Sequence, residues 1–127
     1  MIVVDTSALI AVAANEPDAA TCEAVLIAND LLLSAATLAE TLIVARRKKV
    51  GDSVQVLLDS LAPEVIEVSE GLAVMAAEAY GRWGKGFHPA RLNYGDCFSY
   101  ALAQLYDCPL LYVGDDFART DIRSALR

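Results

Sequence analysis

The sequence predicts an α/β fold, a parallel sheet covered by helices on both faces. Three observations carry that prediction. Four short apolar runs, at Ile2–Val4, Leu31–Ser34, 65–68 and 110–113, are separated by helical segments, as in strand–helix–strand crossovers. The first run is continuously apolar and β-branched rather than alternating, as expected of a strand buried on both sides. Two of the runs lead into acids, Asp5 and the pair Asp115–Asp116, and in open parallel sheets ligands bind beyond the carboxyl ends of strands.

The elements follow in order. Ile2–Val4 is the first strand, and Thr6 or Ser7 is placed to cap a helix running to about residue 14. Glu16-Pro17-Asp18 restarts the chain, with Pro17 suited to the first turn of a helix reaching about residue 28. Leu31–Ser34 is the second strand. A helix over 37–49 ends at Gly51 with basic residues in its last turn. Asp52 or Ser53 caps a helix to Leu61, which Pro63 breaks, and 65–68 is the third strand. Ser69 caps a long helix over 70–82. Residues 81–89, with three glycines and a proline, read as a loop. The helix over 95–106 presents Phe98, Ala101, Leu102 and Leu105 at the spacing of one apolar face. The fourth strand, 110–113, precedes a tail of short helix or turn and an edge strand.

The 127 residues fit one domain, spanning 1–127. A chain of this length buries roughly two-thirds of its unfolded surface, and 56% hydrophobic residues argue against disorder. No apolar stretch approaches the ~20 residues of a membrane span, and Asp5 interrupts the N-terminus where a signal peptide would be apolar. The expected location is cytoplasmic. Cys22, Cys97 and Cys108 form no zinc or disulfide pattern and read as reduced small hydrophobes. A net charge of −7 disfavours generic nucleic-acid binding. However, the bases are grouped. Arg46, Arg47, Lys48 and Lys49 form one run, and Arg82, Lys85, His88 and Arg91 a second cluster. Each is either a solvated helix end or loop, or a rim that contacts phosphate.

Five acids are hard to explain as ordinary surface: Asp5, Glu40, Asp96, Asp115 and Asp116. Asp5 closes an apolar strand, although an Asp there can also cap the next helix. Glu40 has Ile43 and Val44 on its side of the helix and Leu38, Leu42 and Ala45 on the others. The plainer reading makes it one of a narrow polar stripe with Thr37 and Arg47. Asp96 follows Gly95 at a helix start, where an acid is favoured and held ionised. Asp115 and Asp116 are adjacent, so one can face a site while the other caps a short helix from Phe117. Ser7 is a cap or a partner of metal-bound water, and Asp121 is a weaker candidate. An ionised acid among apolar neighbours is costly without a partner. A shared divalent cation accounts for all of them, and oxygen-only ligands favour Mg²⁺ or Mn²⁺. Two such ions can activate water and stabilise the leaving oxygen of a phosphodiester without a protein nucleophile.

The rival chemistries are thin. His88 is the sole histidine and sits in the loop. Cys97 near a helix start has no evident base. Gly84-Lys85-Gly86 follows a helix rather than a strand, and no phosphate-cradling glycine motif is present. Trp83 reads as packing or as a base-stacking surface. A non-catalytic module with an acidic pocket for a basic peptide is the alternative from another class.

Four segments together resemble the PIN-domain ribonucleases, and within them the VapC toxins of bacterial toxin–antitoxin pairs. They are Val4-Asp5-Thr6-Ser7-Ala8-Leu9, the mid-helix Glu40, residues 92–103 around Asn93 and Asp96, and residues 114–121 from Gly114 to Asp121. The resemblance implies a three-layer α/β/α fold with a central parallel sheet of four to five strands. It implies Mg²⁺- or Mn²⁺-dependent endonucleolytic cleavage of RNA, often tRNA or ribosomal RNA, by Asp5, Glu40, Asp96 and Asp116. Asp5 and Asp96 would hold metal, with Asn93, Ser7 and Asp115 in support. It further implies a homodimer and a VapB-like antitoxin. An RNA-processing PIN nuclease that is not a toxin is the alternative within the fold. Arg46, Arg47, Lys85, His88 and Arg91 are the candidate RNA contacts. The apolar face of Leu9, Ile10, Val12 and Ala13 with Val25 and Leu26 is either core packing or an antitoxin groove.

Overall fold

The computed structural model describes residues 1–126. Its strands are β1 (Ile2–Val4), β2 (Leu31–Ser34), β3 (Glu64–Ile66) and β4 (Leu110–Leu111). They form one parallel sheet in the order β3-β2-β1-β4. Alternate strand residues face opposite layers. Val3, Leu32 and Leu110 pack with Leu72, Phe98 and Leu102 on one side, and Ile2, Val4, Leu33 and Leu111 with Leu9 and Leu26 on the other. Both faces are therefore dry, which is why these strands read as unbroken apolar runs. The helices are α1 (Thr6–Ala13), α2 (Ala19–Ala28), α3 (Ala35–Arg47), α4 (Gly51–Leu61), α5 (Glu70–Trp83) and α6 (Tyr94–Tyr106), followed by a short 3-10 turn over Phe117–Arg119. None is long and apolar enough to cross a membrane.

Several boundaries differ from expectation for local reasons. Pro17 lies in the turn before α2 rather than in its first turn. α3 begins at Ala35 because Ser34, the last residue of β2, caps it by accepting the Ala36 N–H. It stops at Arg47 because Lys49 adopts φ 59°, and the next N–H groups close on Val44, Ala45 and Arg46 carbonyls. Gly51 thus opens α4 instead of ending α3, and Val50, not Asp52 or Ser53, occupies the cap position. β3 pairs from Glu64, earlier than expected, since Ala62 turns left-handed and Pro63 feeds the chain straight into the sheet. Its exposed Glu64 and Val65 mark the sheet's edge. Ser69 caps α5 as expected. In α6, Leu105 is 52% exposed. The buried run is instead 97–103, because the helix is enclosed by α5, α3 and the sheet. The expected edge strand reduces to one parallel bridge between Leu110 and Ser124.

The topology places the site. From β1 the chain adds β2 and β3 on one side, then returns with β4 on the other. The winding therefore reverses between β1 and β4, and the crevice beyond their carboxyl ends is where ligands bind in such sheets. α6 leads into β4 from the opposite direction, so its N-terminus arrives at the same edge.

Candidate active site

Asp5 follows β1 directly and is 3% exposed. Its N–H still donates to the Leu111 carbonyl at 3.0 Å, so the β1–β4 ladder fixes its backbone. Asp5, not Thr6 or Ser7, is the cap of α1. Its Oδ2 accepts from the Ser7 N–H at 3.0 Å and the Ser7 hydroxyl at 2.6 Å. Its Oδ1 accepts from Ser99 Oγ at 2.7 Å. The cap role and the site role, posed as alternatives, belong to the same side chain. Ser7 has given its one hydroxyl proton to Asp5 and accepts the Val113 N–H at 3.0 Å. It braces the segment after β4 against Asp5 from the wall of the hollow.

Glu40 is approached differently from what the sequence suggested. Leu42 and Ile43 are 39% and 54% exposed. The buried stripe of α3 is Thr37, Thr41 and Ala45, so the polar-stripe alternative also fails, because Thr37 faces inward. Thr37 starts a hydroxyl relay that ends on Asp5, while Thr41 has its own helix's Thr37 carbonyl as its nearer acceptor, at 2.8 Å. Thr41 Oγ1 lies 3.1 Å from Thr6 Oγ1, which donates to Glu40 Oε1 at 2.7 Å. Thr37 Oγ1 lies 3.1 Å from Ser99 Oγ, whose proton goes to Asp5. Thr37 must then be the donor to Ser99, since each hydroxyl carries one proton. Among the described residues, no buried side-chain nitrogen or oxygen lacks a partner.

Asp96 is fixed by a reciprocal cap at the start of α6. Asn93 Oδ1 accepts the Asp96 N–H at 2.8 Å, and Asp96 Oδ2 accepts the Asn93 N–H at 2.9 Å. Asn93 therefore pins Asp96. Burial pushes the Asp96 carboxyl up to about 7. The charges of Asp5, Glu40 and Asp116 add to the rise, while the Asn93 N–H opposes it. Burial also raises Glu40, opposed by the Thr6 hydrogen bond and helped by Asp5. Like charges brought together disfavour ionisation in just this way. Gly95 makes the approach possible: a Cβ there would lie 2.7 Å from Glu40 Cδ.

Asp5, Glu40 and Asp96 line one open hollow of about 330 Å³, with Thr6, Ser7 and Val113. Asp115 and Asp116 follow Gly114, whose φ of 105° suits glycine, and both are exposed. Asp116 is the one whose charge reaches Asp96. It stands before the 3-10 turn without a side-chain capping bond. Asp121 lies apart from the hollow, accepting the Tyr100 hydroxyl and pairing with Arg82.

The bases distribute unevenly. Arg46 and Arg47 are exposed in the last turn of α3 and do not line the hollow. Their neighbour Lys48 does, paired with Glu16 at 3.1 Å across its mouth. Lys85, His88 and Arg91 line a separate shallow concavity. His88 Nδ1 accepts the Ala90 N–H, and its ring meets Trp83 edge-on at 4.7 Å. Trp83 donates to Tyr100 and lies under the Arg82 guanidinium, so it packs rather than offering a free stacking face. Cys97 is buried and its thiol is pushed up to about 12, first by burial and then by Asp96. It is no nucleophile.

The donor set suits a hard cation. Glu40 Oε2 and Asp96 Oδ1 accept no protein hydrogen bond, and Asp5 keeps lone-pair capacity beyond its three donors. All are oxygens, as Mg²⁺ and Mn²⁺ require. Among the described residues, no three acid, histidine or cysteine side chains are gathered closely enough to hold an ion as they stand. Mg²⁺ keeps several waters and takes one or two carboxylates directly, so a pair such as Asp5 and Asp96 meets its demand. Sequence reasoning missed Thr6, Thr37, Thr41, Ser99 and Gly95. Thr41 and Ser99 carried a signal, as hydroxyls with no role among apolar neighbours, whereas Thr6 and Thr37 were read as a cap and as part of a polar stripe. Gly95 was read only as the start of the helix, although no positive φ requires glycine there.

Comparison with known proteins places the chain in a family. The PIN domain family matches residues 2–123. Ribonuclease VapC30 of Mycobacterium tuberculosis is 43% identical over 124 residues, covering 94% of this chain and 95% of that protein. Ribonuclease VapC of Mycolicibacterium smegmatis is 42% identical over 125 residues, covering 94% and 96%. Among solved structures, Mycobacterium tuberculosis VapC20, a sarcin-ricin loop cleaving toxin, superposes with a TM-score of 0.77 over 96% of both chains at 21% identity. A toxin–antitoxin complex from Klebsiella pneumoniae gives 0.70 at 19% identity, over 95% and 93%. The structural likenesses carry the fold alone. The family match and the extent of the sequence identities carry more: the chain belongs to the PIN-domain family, among its VapC ribonucleases.

Proposed function

We propose that the protein is a metal-dependent endoribonuclease and the toxin of a toxin–antitoxin pair, one PIN domain acting in the cytoplasm. The observation that carries this reading is the convergence of Asp5, Glu40 and Asp96, from three separate elements, on one hollow at the winding reversal of the sheet. The identities to VapC ribonucleases support it.

Asp5 and Asp96 would hold a divalent ion, Mg²⁺ or Mn²⁺, which would supply an activated water and charge neutralisation at the phosphate. Asp5 is held in place by three donors, and Asn93 orients Asp96. Glu40 takes up the proton of the attacking water, a role suited to a carboxyl whose affinity for protons is raised. Asp116 adds negative charge on the solvent side, and Asp115 is its less engaged neighbour. RNA, of the tRNA or ribosomal class, meets Lys48 first, the base lining the hollow. Arg46, Arg47, Lys85, His88 and Arg91 serve the flanking backbone.

A VapB-like antitoxin is the proposed partner. Leu9, Ile10 and Leu26 belong to the core. Val12 and Ala13, with Ile27, Val56, Leu57 and Leu61, line an apolar groove of about 580 Å³ between α1, α2 and α4. That groove suits the apolar side of an amphipathic helix. An antitoxin arginine reaching the acids would replace metal charge with guanidinium. A homodimer completes the proposal.

Purified protein incubated with RNA in Mn²⁺ or in EDTA tests the reading. The expected result is cleavage that requires Mn²⁺ and disappears in Asp96→Asn. RNA left intact, or cut equally by Asp96→Asn, would overturn it and favour a non-catalytic acidic pocket.

A further inference from the structure

Gly95 is the second residue of α6, in the first turn after the Asn93 cap. It is absent from the residues with positive φ, so no turn requires it. The backbone position next to Asp96 has instead been left bare where the Glu40 carboxylate lies. A Cβ at 95 would collide with both Glu40 carboxylate oxygens and stand 2.7 Å from Cδ. The helical Gly81 offers a contrast, because a Cβ there meets nothing within 4 Å.

We propose that Gly95 is a positioning residue: its missing side chain, with the Thr6 hydroxyl, sets where the Glu40 carboxylate stands relative to Asp96. Glu40 is clamped from two sides. Thr6 Oγ1 donates to Oε1 at 2.7 Å, and the bare surface of α6 receives the rest of the carboxylate. Glu40 and Asp96 come from different helices, so their separation depends on how closely α3 approaches α6 at this point. A methyl group at 95 swings Glu40 off Thr6 and out of the hollow. The inference rests on the metal-dependent reading for its effect on cleavage, and on geometry alone for the displacement of Glu40.

The test compares Gly95→Ala, Gly81→Ala and Gly95→Ala in a Glu40→Asp background. It measures Mn²⁺ affinity, cleavage, melting temperature and the crystal structure of each. Removing a positioned proton acceptor costs about 10²–10⁴-fold, and misplacing it costs part of that. Gly95→Ala should lose roughly tenfold or more in cleavage, with Mn²⁺ affinity within about threefold of the parent's because Asp5 and Asp96 keep their places, and with a melting temperature close to the parent's. Gly81→Ala should lose neither. Aspartate at 40 is shorter by one carbon–carbon bond, ~1.5 Å, and clears the methyl. Gly95→Ala should therefore cost less than about twofold more in that background. The crystal structure of Gly95→Ala should show Glu40 turned away and its bond to Thr6 broken. An unmoved Glu40, or an equal loss in both backgrounds, would overturn the proposal. If the parent itself cuts no RNA, the metal-dependent reading fails while the position of Glu40 still decides this one.

Discussion

Asp5 and Asp116 carry the same carboxyl group and leave the carboxyl ends of neighbouring strands, yet the fold treats them in opposite ways. Asp5 is 3% exposed, accepts three hydrogen bonds and caps a helix. Asp116 is exposed and caps nothing with its side chain, and it touches the site only through its charge on Asp96. A buried carboxyl group must have its oxygens met by donors, or burying it costs stability. The fold spends Ser7, Ser99 and, behind it, Thr37 on that task. The difference is one of preorganisation: Asp5 is set before any cation arrives, whereas Asp116 has no donor fixing its side chain.

The largest expected effect separates these two acids. Metal-ion catalysis supplies several kcal/mol of transition-state stabilisation, so Asp5→Asn should lower kcat/KM for RNA by about 10³-fold. An amide at 5 also turns an NH₂ toward one of the three donors, costing about 1–3 kcal/mol of stability. Asp116→Asn should leave stability within about 0.5 kcal/mol of the parent, as exposed substitutions do. It should also lower cleavage by no more than about tenfold, the size of a single unit-charge effect on one neighbour. Steady-state cleavage and thermal unfolding of the two variants measure this. Equal losses would mean that preorganisation counts for little here.

A smaller effect tests the donors themselves. Ser99→Ala keeps every acid and removes one hydrogen bond from Asp5 Oδ1, leaving Thr37 Oγ1 without its partner. Support of this kind is worth about 10–100-fold in metal affinity. Mn²⁺ titration should show a loss in that range. Ser99→Thr, which restores the hydroxyl, should recover most of it, unless the added methyl group is refused by the packing around α6. Weakened affinity in Ser99→Ala with no recovery in Ser99→Thr, in a protein whose crystal structure shows the threonine hydroxyl on Asp5, would contradict the role.

The same contrast explains what the sequence made legible. Strand positions were readable because both faces of the sheet are dry, so β1, β2 and β4 show as apolar runs, with acids past the ends of β1 and β4. Asp5 was readable because a charge beside Val4 is costly without a partner, and Asp96 because an acid is favoured at a helix start. Their surroundings were less so. Glu40 drew notice for apolar neighbours that turn out to be exposed, Leu42 and Ile43. Its true partner, Thr6, is 34 positions away and became a partner only because Asp5 took over the cap. Ser99 and Asp5 are 94 positions apart. Local periodicity cannot register a hydrogen bond that the sheet's winding creates. Leu105 misled for a related reason, since the spacing of one apolar face presumes one neighbour and α6 has several.

The smallest effect concerns Asp96, which lies between the two extremes, pinned by Asn93 but crowded by charge. Its carboxyl is pushed up to about 7 in the fold, whereas an unfolded chain releases that proton near pH 4. Between those values the native metal-free protein binds more protons than the unfolded chain, so stability falls as pH rises through the window. The burden is present in full above about pH 7 and absent below about pH 4, the reverse of the usual salt-bridged aspartate. Three pH units set a ceiling near ~4 kcal/mol. Asp96 is part exposed, so screening reduces this to about 1–2 kcal/mol, or roughly 4–8 °C in melting temperature. Metal-free protein in EDTA should therefore melt lower at pH 7.5 than at pH 5.5. Asp96→Asn should remove most of that slope, and Asp116→Asn only a little, because Asp116 is the smallest of the charges acting on Asp96. Saturating Mn²⁺ should raise the melting temperature most at the higher pH, where the acids are ready to receive it. A slope that survives Asp96→Asn would place the proton elsewhere, with Glu40, whose carboxyl is raised in the same direction, the first group to examine.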